Sequence, residues 1–107
     1  MKNILFVCSA NRLRSPTAEQ VFAKLDHIEV ASAGTNQDAV TPLDGELIEW
    51  ADIIFVMEKA HRDKLRRNFR KQLKSARVIC LNIPDEYQFM EPELVTILER
   101  KVSPFLR

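Results

Sequence analysis

The stretch FVCSANRLRSPTAEQVF, residues Phe6–Phe22, changes its period halfway along. Its first residues complete the apolar run Ile4-Leu5-Phe6-Val7, which reads as a strand buried on both faces of a parallel sheet. From Ser15-Pro16 the pattern is helical, with Ser as N-cap and Pro at the first helical position. Ala18, Val21, Phe22 and Leu25 then fall at i, i+3, i+4 and i+7, the spacing of one helix face. Between strand and helix lie the seven residues Cys8 to Arg14. A strand, a turn and a helix in this order open an α/β unit, and ligands of open α/β sheets bind beyond the carboxyl ends of the strands.

The remaining chain repeats the alternation. Ile28–Ala31, Ile53–Met57 and Val78–Leu81 read as strands, the first of these weaker and expected at a sheet edge. Thr41-Pro42 opens a second helix, with Asp44 three residues after the cap and a stripe of Leu43, Leu47 and Trp50. A third helix is expected from about Glu58 to Leu73, with Leu65, Phe69 and Leu73 buried. The last opens at Glu91-Pro92-Glu93, which sets negative charge at its positive end, and buries Leu94, Leu98 and Val102. The pattern predicts a three-layer α/β fold: an open sheet of about four parallel strands, helices on both faces, and the Cys8–Arg14 loop after strand 1. No repeat or composition break divides residues 1–107, a length that suits one core and one domain.

Composition narrows the function. Sixteen basic against 15 acidic residues give a net charge of +1, which argues against a chain that coats nucleic acid through its overall charge. The N-terminal apolar run is too short for a signal core and is followed at once by Arg12 and Arg14; no stretch approaches the length of a membrane span. With only Cys8 and Cys80 and no secretion signal, free thiols in a reducing cytoplasm are expected. Cys80, inside an apolar run, reads as a core residue.

The turn itself carries chemistry. Backbone amides between a buried strand and a helix N-terminus lack ladder partners and can converge on an anion, where the helix dipole adds positive potential. An arginine at the end of such a turn can grip two oxygens of a tetrahedral oxyanion with its planar fork. A cysteine at its start, as a thiolate below a cradled phosphate, is a nucleophile aimed at phosphorus. Cys8, then five residues, then Arg14-Ser15, is that arrangement, with the Ser15 hydroxyl in reach to hydrogen-bond the sulfur.

VCSANRLRSPTAEQVF resembles the active-site loop of the low-molecular-weight protein tyrosine phosphatases, through to the Ser-Pro-Thr-Ala-Glu helix opening. ASAGT (Ala31–Thr35) is similar to the family's second strand and turn, ADIIFVMEKAHRDKL (Ala51–Leu65) to its central strand and following helix, and IPDEYQF (Ile83–Phe89) to its acid loop. The resemblance is to a shortened member, with the segment between Thr35 and Trp50 reduced. It implies Cys8 as nucleophile, Arg14 as phosphate clamp and Asp85 as general acid, with Ser15 stabilising the thiolate and Asn11 holding the loop in shape. It further implies that Ser9, Ala10, Asn11, Arg12, Leu13 and Ser15 surround the phosphate and that Tyr87 walls the substrate slot. No metal or cofactor is implied. The implied partner is a phosphotyrosine protein or another anionic phosphomonoester, with inorganic phosphate or sulfate able to occupy the loop.

Departures from the family pattern modulate this expectation. Ala10 replaces a usual glycine and is strained if the loop needs positive φ there. Leu13 stands where a second loop cysteine is common, Glu86 replaces a proline, and a histidine usual after the second strand has no counterpart. Arg12 adds a second cation at the mouth and suggests a strongly anionic substrate. Three other readings compete: a catalytically weak phosphate-binding module, an arsenate reductase using Cys80 as resolving thiol, and nucleic-acid binding through the basic stretch 59–77. That stretch holds Lys59, Arg62, Lys64, Arg66, Arg67, Arg70, Lys71, Lys74 and Arg77 against Asp63 alone. A solvated helix face is its plainest reading, and the lack of interleaved aromatics weighs against nucleic acid. His61, beside these charges, carries no ligand signal.

Overall fold

Four strands alternate with four helices in the computed structural model, which describes residues 2–73 and 76–106. The order is β1 (Lys2–Cys8), α1 (Arg14–Phe22), β2 (Ile28–Gly34), α2 (Gly45–Trp50), β3 (Ile53–Val56), α3 (Lys59–Asn68), β4 (Arg77–Cys80) and α4 (Pro92–Val102), closed by a 3-10 turn at Ser103–Phe105. All strand pairs are parallel and the sheet order is β2-β1-β3-β4, so the expected edge position of the second strand holds. β1 lies inside, paired on both sides, and this is why its apolar run is unbroken: Ile4, Leu5, Phe6 and Val7 are all fully buried.

The two faces bury separate cores, giving the expected three layers. On one, Phe6, Phe55, Ile53 and Met57 meet Ala18, Val21 and Phe22 of α1 and Leu94, Leu98 and Val102 of α4. Phe6 stacks on Phe22 and on Phe55, with ring centroids 5.7 and 5.4 Å apart. On the other, Leu5, Val7, Ile54 and Val56 meet Ile48 of α2 and Leu65 of α3.

Element ends differ from expectation for local reasons. β2 continues past Ala31 because Ser32, Ala33 and Gly34 pair with Phe6, Val7 and Cys8, which makes Cys8 the last residue of β1. α1 starts at Arg14 behind Leu13, so Ser15 lies inside the first turn and is not the N-cap. The cap of α2 is Asp44, whose carboxylate accepts the Leu47 N–H at 2.8 Å; Thr41-Pro42 instead belongs to the approach, where Pro42 bridges Gly34. Among the expected stripe of α2, Leu43, Leu47 and Trp50 only pack against the core that Ile48 enters fully. α3 stops at Asn68, with Phe69 as its C-cap, and a further turn carries the chain through Leu73. Lys74, part of the basic stretch, lies outside the described residues.

Candidate active site

The loop from Ser9 to Leu13 leaves β1 at its carboxyl end and is held from its own carbonyls. Cys8 O accepts the Thr35 N–H (2.9 Å), Ser9 O the Asn36 N–H (3.0 Å), Ala10 O the Val40 N–H (3.1 Å) and Leu13 O the Thr17 N–H (3.1 Å). Among the described residues, the loop amides from Ser9 to Ser15 donate to no other protein group. Carbonyls tied outward and amides left free is the polarity an anion cradle requires. The loop is also pressed from behind. A Cβ on Gly34 would stand 2.5 Å from Ser9 O and 2.5 Å from the Ala39 Cβ, so only glycine lets β2 approach this closely.

Asn11 takes the left-handed bend of the loop at φ 57°, a conformation asparagine tolerates well. Ala10 is not among the residues with positive φ, so the strain expected from replacing glycine does not arise. The Asn11 amide is fixed by the Thr41 N–H, which donates to Oδ1 at 3.1 Å. Its Nδ2 then donates to Ser15 Oγ (2.9 Å) and Ser32 Oγ (3.0 Å), and Ser32 in turn donates to Glu19. Accepting a hydrogen bond from Asn11, Ser15 has its own hydroxyl proton free for Cys8 Sγ, 2.9 Å away. Cys8 and Ser15 are both buried, so this donor reaches the sulfur shielded from bulk water.

Arg14, also buried, is aimed by two acceptors: Nη1 donates to Glu58 Oε1 and to the Ile83 carbonyl at 2.8 Å. Asp85 reaches the same guanidinium at 3.8 Å from Nε, with its side chain 62% exposed. The chain that brings it there follows β4. Leu81 N–H donates to Val56 O and Ile83 N–H to Met57 O, with Asn82 at φ 54° between them. Cys8, Ser9, Ala10, Arg12, Leu13, Arg14 and Asp85 together line one cleft of about 190 Å³.

Of the expected site residues, Cys8, Ser9, Ala10, Arg12, Leu13, Arg14 and Asp85 line the cleft, Asn11 and Ser15 are buried and support the loop without lining it, and Tyr87 lies apart. Its ring packs half-buried against the α1–α4 core and does not line the cleft; Ala10 and Leu13 are the aliphatic lining residues. Burial, with Glu93, Glu86 and Glu91 around it, raises the Tyr87 hydroxyl pKa above its ordinary value. Cys80 is half-buried against the α2–α3 core while Cys8 belongs to the α1–α4 core, so the sheet stands between the two thiols and a resolving role for Cys80 finds no support.

Three residues outside the expected set belong to the site: Gly34, Glu58 and His61. Glu58 caps α3 in a reciprocal box with His61, whose Nδ1 accepts the Glu58 N–H at 3.0 Å, while the Glu58 carboxylate also holds Arg14. His61 Nε2 meets Ser9 Oγ at 2.8 Å. Burial first, then the Arg14 guanidinium, depresses the His61 pKa from 6.5 to about 4. Glu58-Lys59-Ala60-His61 has the spacing of a capping box, a signal masked because histidine replaces the usual Glu or Gln at the third position. Among the described residues no three His, Cys, Asp or Glu side chains gather as a metal site, and no helix is long and apolar enough to cross a membrane.

Residues 3–50 match the family model for low molecular weight phosphotyrosine protein phosphatase. No curated protein matches the sequence. Among solved structures the chain is similar to the YwlE arginine phosphatase from Geobacillus stearothermophilus, at TM-score 0.78 and 23% identity over 99% of this chain and 94% of that one. It is similar to Wzb of Vibrio vulnificus in complex with benzylphosphonate, at TM-score 0.79 and 22% identity over 97% and 96% of the two chains. The tyrosine phosphatase amsI of Erwinia amylovora gives TM-score 0.77 and 25% identity over 99% and 92%. The fold is that of these phosphatases, and the family match covers the segment that holds Cys8, Arg14 and Ser15.

Proposed function

We propose that this chain, which carries the low molecular weight phosphatase pattern over residues 3–50, is a cysteine-dependent phosphomonoester hydrolase acting on phosphotyrosine in proteins, in the cytoplasm. The observation that carries the reading is the convergence of Cys8, Arg14 and Asp85 on one cleft whose loop amides are uncommitted. The Cys8 thiolate attacks phosphorus as the P–O bond to the phenol breaks, and Asp85 gives its proton to the leaving oxygen. Asp85, now a carboxylate, takes a proton from water as that water attacks the phosphocysteine, which releases inorganic phosphate and restores the thiolate. Arg14 and the loop amides hold the equatorial oxygens through both steps.

The structural relatives divide between phosphotyrosine and phosphoarginine substrates. Arg12, exposed at the mouth of this cleft, favours the phenolic ester, since it would face the guanidinium group of a phosphoarginine as a like charge. A small aryl phosphate assayed with wild type, Cys8→Ser and Asp85→Ala tests the mechanism: activity absent in the first variant and strongly reduced in the second supports it. Absence of activity in reduced wild type leaves a cradle that binds without cleaving. Paired phosphotyrosine and phosphoarginine peptides then decide the substrate, and a preference for phosphoarginine overturns the assignment to tyrosine.

A further inference from the structure

Among the residues that line the cleft Ser9 alone carries a hydroxyl, and its proton has been given a direction. A backbone N–H can only donate, so His61 Nδ1, which receives the Glu58 N–H, carries no proton. The neutral ring therefore holds its proton on Nε2, and the 2.8 Å contact is a bond from His61 Nε2–H to Ser9 Oγ. A second proton on the ring would set Nδ1–H against the Glu58 N–H, donor to donor, inside a residue only 3% exposed. The Arg14 guanidinium nearby opposes it as well. With one lone pair of Oγ engaged from behind, the Ser9 hydroxyl proton has no other acceptor among the described residues, and Ser9 borders the cleft with Cys8 and Arg14.

We infer that the Ser9 side chain donates a hydrogen bond to the bound phosphoryl group and that His61 positions it, by giving Nε2–H to Oγ and turning the hydroxyl proton toward the cleft. The inference deepens the phosphatase reading and rests on it for the identity of the ligand. It adds a side-chain donor to those of Arg14 and the loop amides. The same histidine caps α3 together with Glu58, which aims Arg14, so one helix start sets two of the groups that meet the phosphate.

Inorganic sulfate, titrated calorimetrically at neutral pH, is the probe, because it reports the cradle without needing turnover. Ser9→Ala is expected to weaken sulfate binding about tenfold, as loss of a donor to a charged ligand does. His61→Leu, which frees the hydroxyl to rotate, is expected to weaken it several-fold, and His61→Gln, whose amide can still donate to Oγ, to recover most of that loss. In the Ser9→Ala background, His61→Leu is expected to add nothing. Thermal unfolding of each variant accompanies the titration, and Ser9→Ala, which deletes one oxygen, keeps the test open if His61→Leu fails to fold. Unchanged sulfate affinity in Ser9→Ala overturns the inference. So does a His61→Leu effect of equal size with and without the Ser9 hydroxyl, which would make His61 a merely structural brace. Aryl phosphate hydrolysis separates this from the broader reading. Sulfate binding with the expected pattern but no Cys8-dependent turnover leaves the inference standing and removes the phosphatase, whereas turnover without the pattern does the reverse.

Discussion

Two serines stand at opposite ends of the loop, Ser9 bordering the cleft and Ser15 buried against the Cys8 sulfur, and each accepts a hydrogen bond from a donor that fixes which way its own proton points. Behind Ser15 stands the Asn11 amide, whose orientation the Thr41 N–H locks. Behind Ser9 stands the His61 imidazole, locked by the Glu58 N–H. The difference lies in the donors. A carboxamide keeps its protons at any pH, so the Asn11 bond to Ser15 does not titrate, while an imidazole can titrate and holds its role only while neutral. Ser15 is thus held by a donor without a charge to gain, and the proposed Ser9 contact is tied to the cap of a helix.

The sharpest way to break the Ser15 side is Asn11→Ala, which removes two donated bonds and one accepted bond and puts a poor residue at φ 57°. At roughly 1 kcal/mol per bond the expected loss in kcat/KM is about a hundredfold, read in aryl phosphate kinetics; a change under fivefold would mean the loop holds its shape without Asn11.

The Ser9 side breaks with acid instead. His61 has a folded-state pKa of about 4, below its ordinary 6.5. Between these values the unfolded chain binds a proton that the folded chain refuses, so stability falls as pH drops from about 6.5 toward 4 and levels off below. Glu58 and Asp85 pull the histidine pKa up and Arg14 and Lys64 push it down, and burial decides the sign. The loss reaches at most about 3 kcal/mol. Urea midpoints at several pH values check it: His61→Gln should lack this part of the slope, and an equal slope in both proteins would place the titration elsewhere.

Ser15→Ala is expected to lower kcat by roughly 30-fold, about 2 kcal/mol for one hydrogen bond to a charged sulfur, with little change in sulfate affinity. Ser9→Ala should show the opposite split, and matching splits would erase the distinction between the two hydroxyls. Smallest of all, Arg66→Ala with Arg70→Ala should leave aryl phosphate turnover unchanged within twofold. Those side chains line a separate groove of about 370 Å³ with Leu73, Ala76 and Val78, which shares no lining residue with the Cys8 cleft.

Legibility in the sequence followed the locality of the cause. The unbroken Ile4–Val7 run could only be an interior strand, and the Cys8–Arg14–Ser15 spacing lies within one turn, so neither needed long-range information. Asn11, which the family resemblance gave as holding the loop in shape, takes the loop's left-handed bend. Ser15 was seen as a helix cap because Ser-Pro usually is one. Its contact with the Cys8 sulfur, expected from the same short spacing, is present, while the cap is not, because the helix starts two residues earlier. His61 and Gly34 matter through partners 52 residues away or through a close backbone approach, and the local pattern around each reads as surface helix or ordinary turn. Tyr87, two residues after Asp85, has the acid loop as its neighbourhood in sequence, and the packing of its ring on the α1–α4 core comes from contacts that this local pattern does not carry.

The central claim is that Cys8 carries the phosphoryl group. Wild type and Asp85→Ala, mixed with a phosphotyrosine peptide, quenched within milliseconds and digested, should yield the Cys8 peptide heavier by one phosphoryl group, transiently in wild type and for longer in Asp85→Ala. Turnover without that adduct, or turnover that survives Cys8→Ser, would contradict the account.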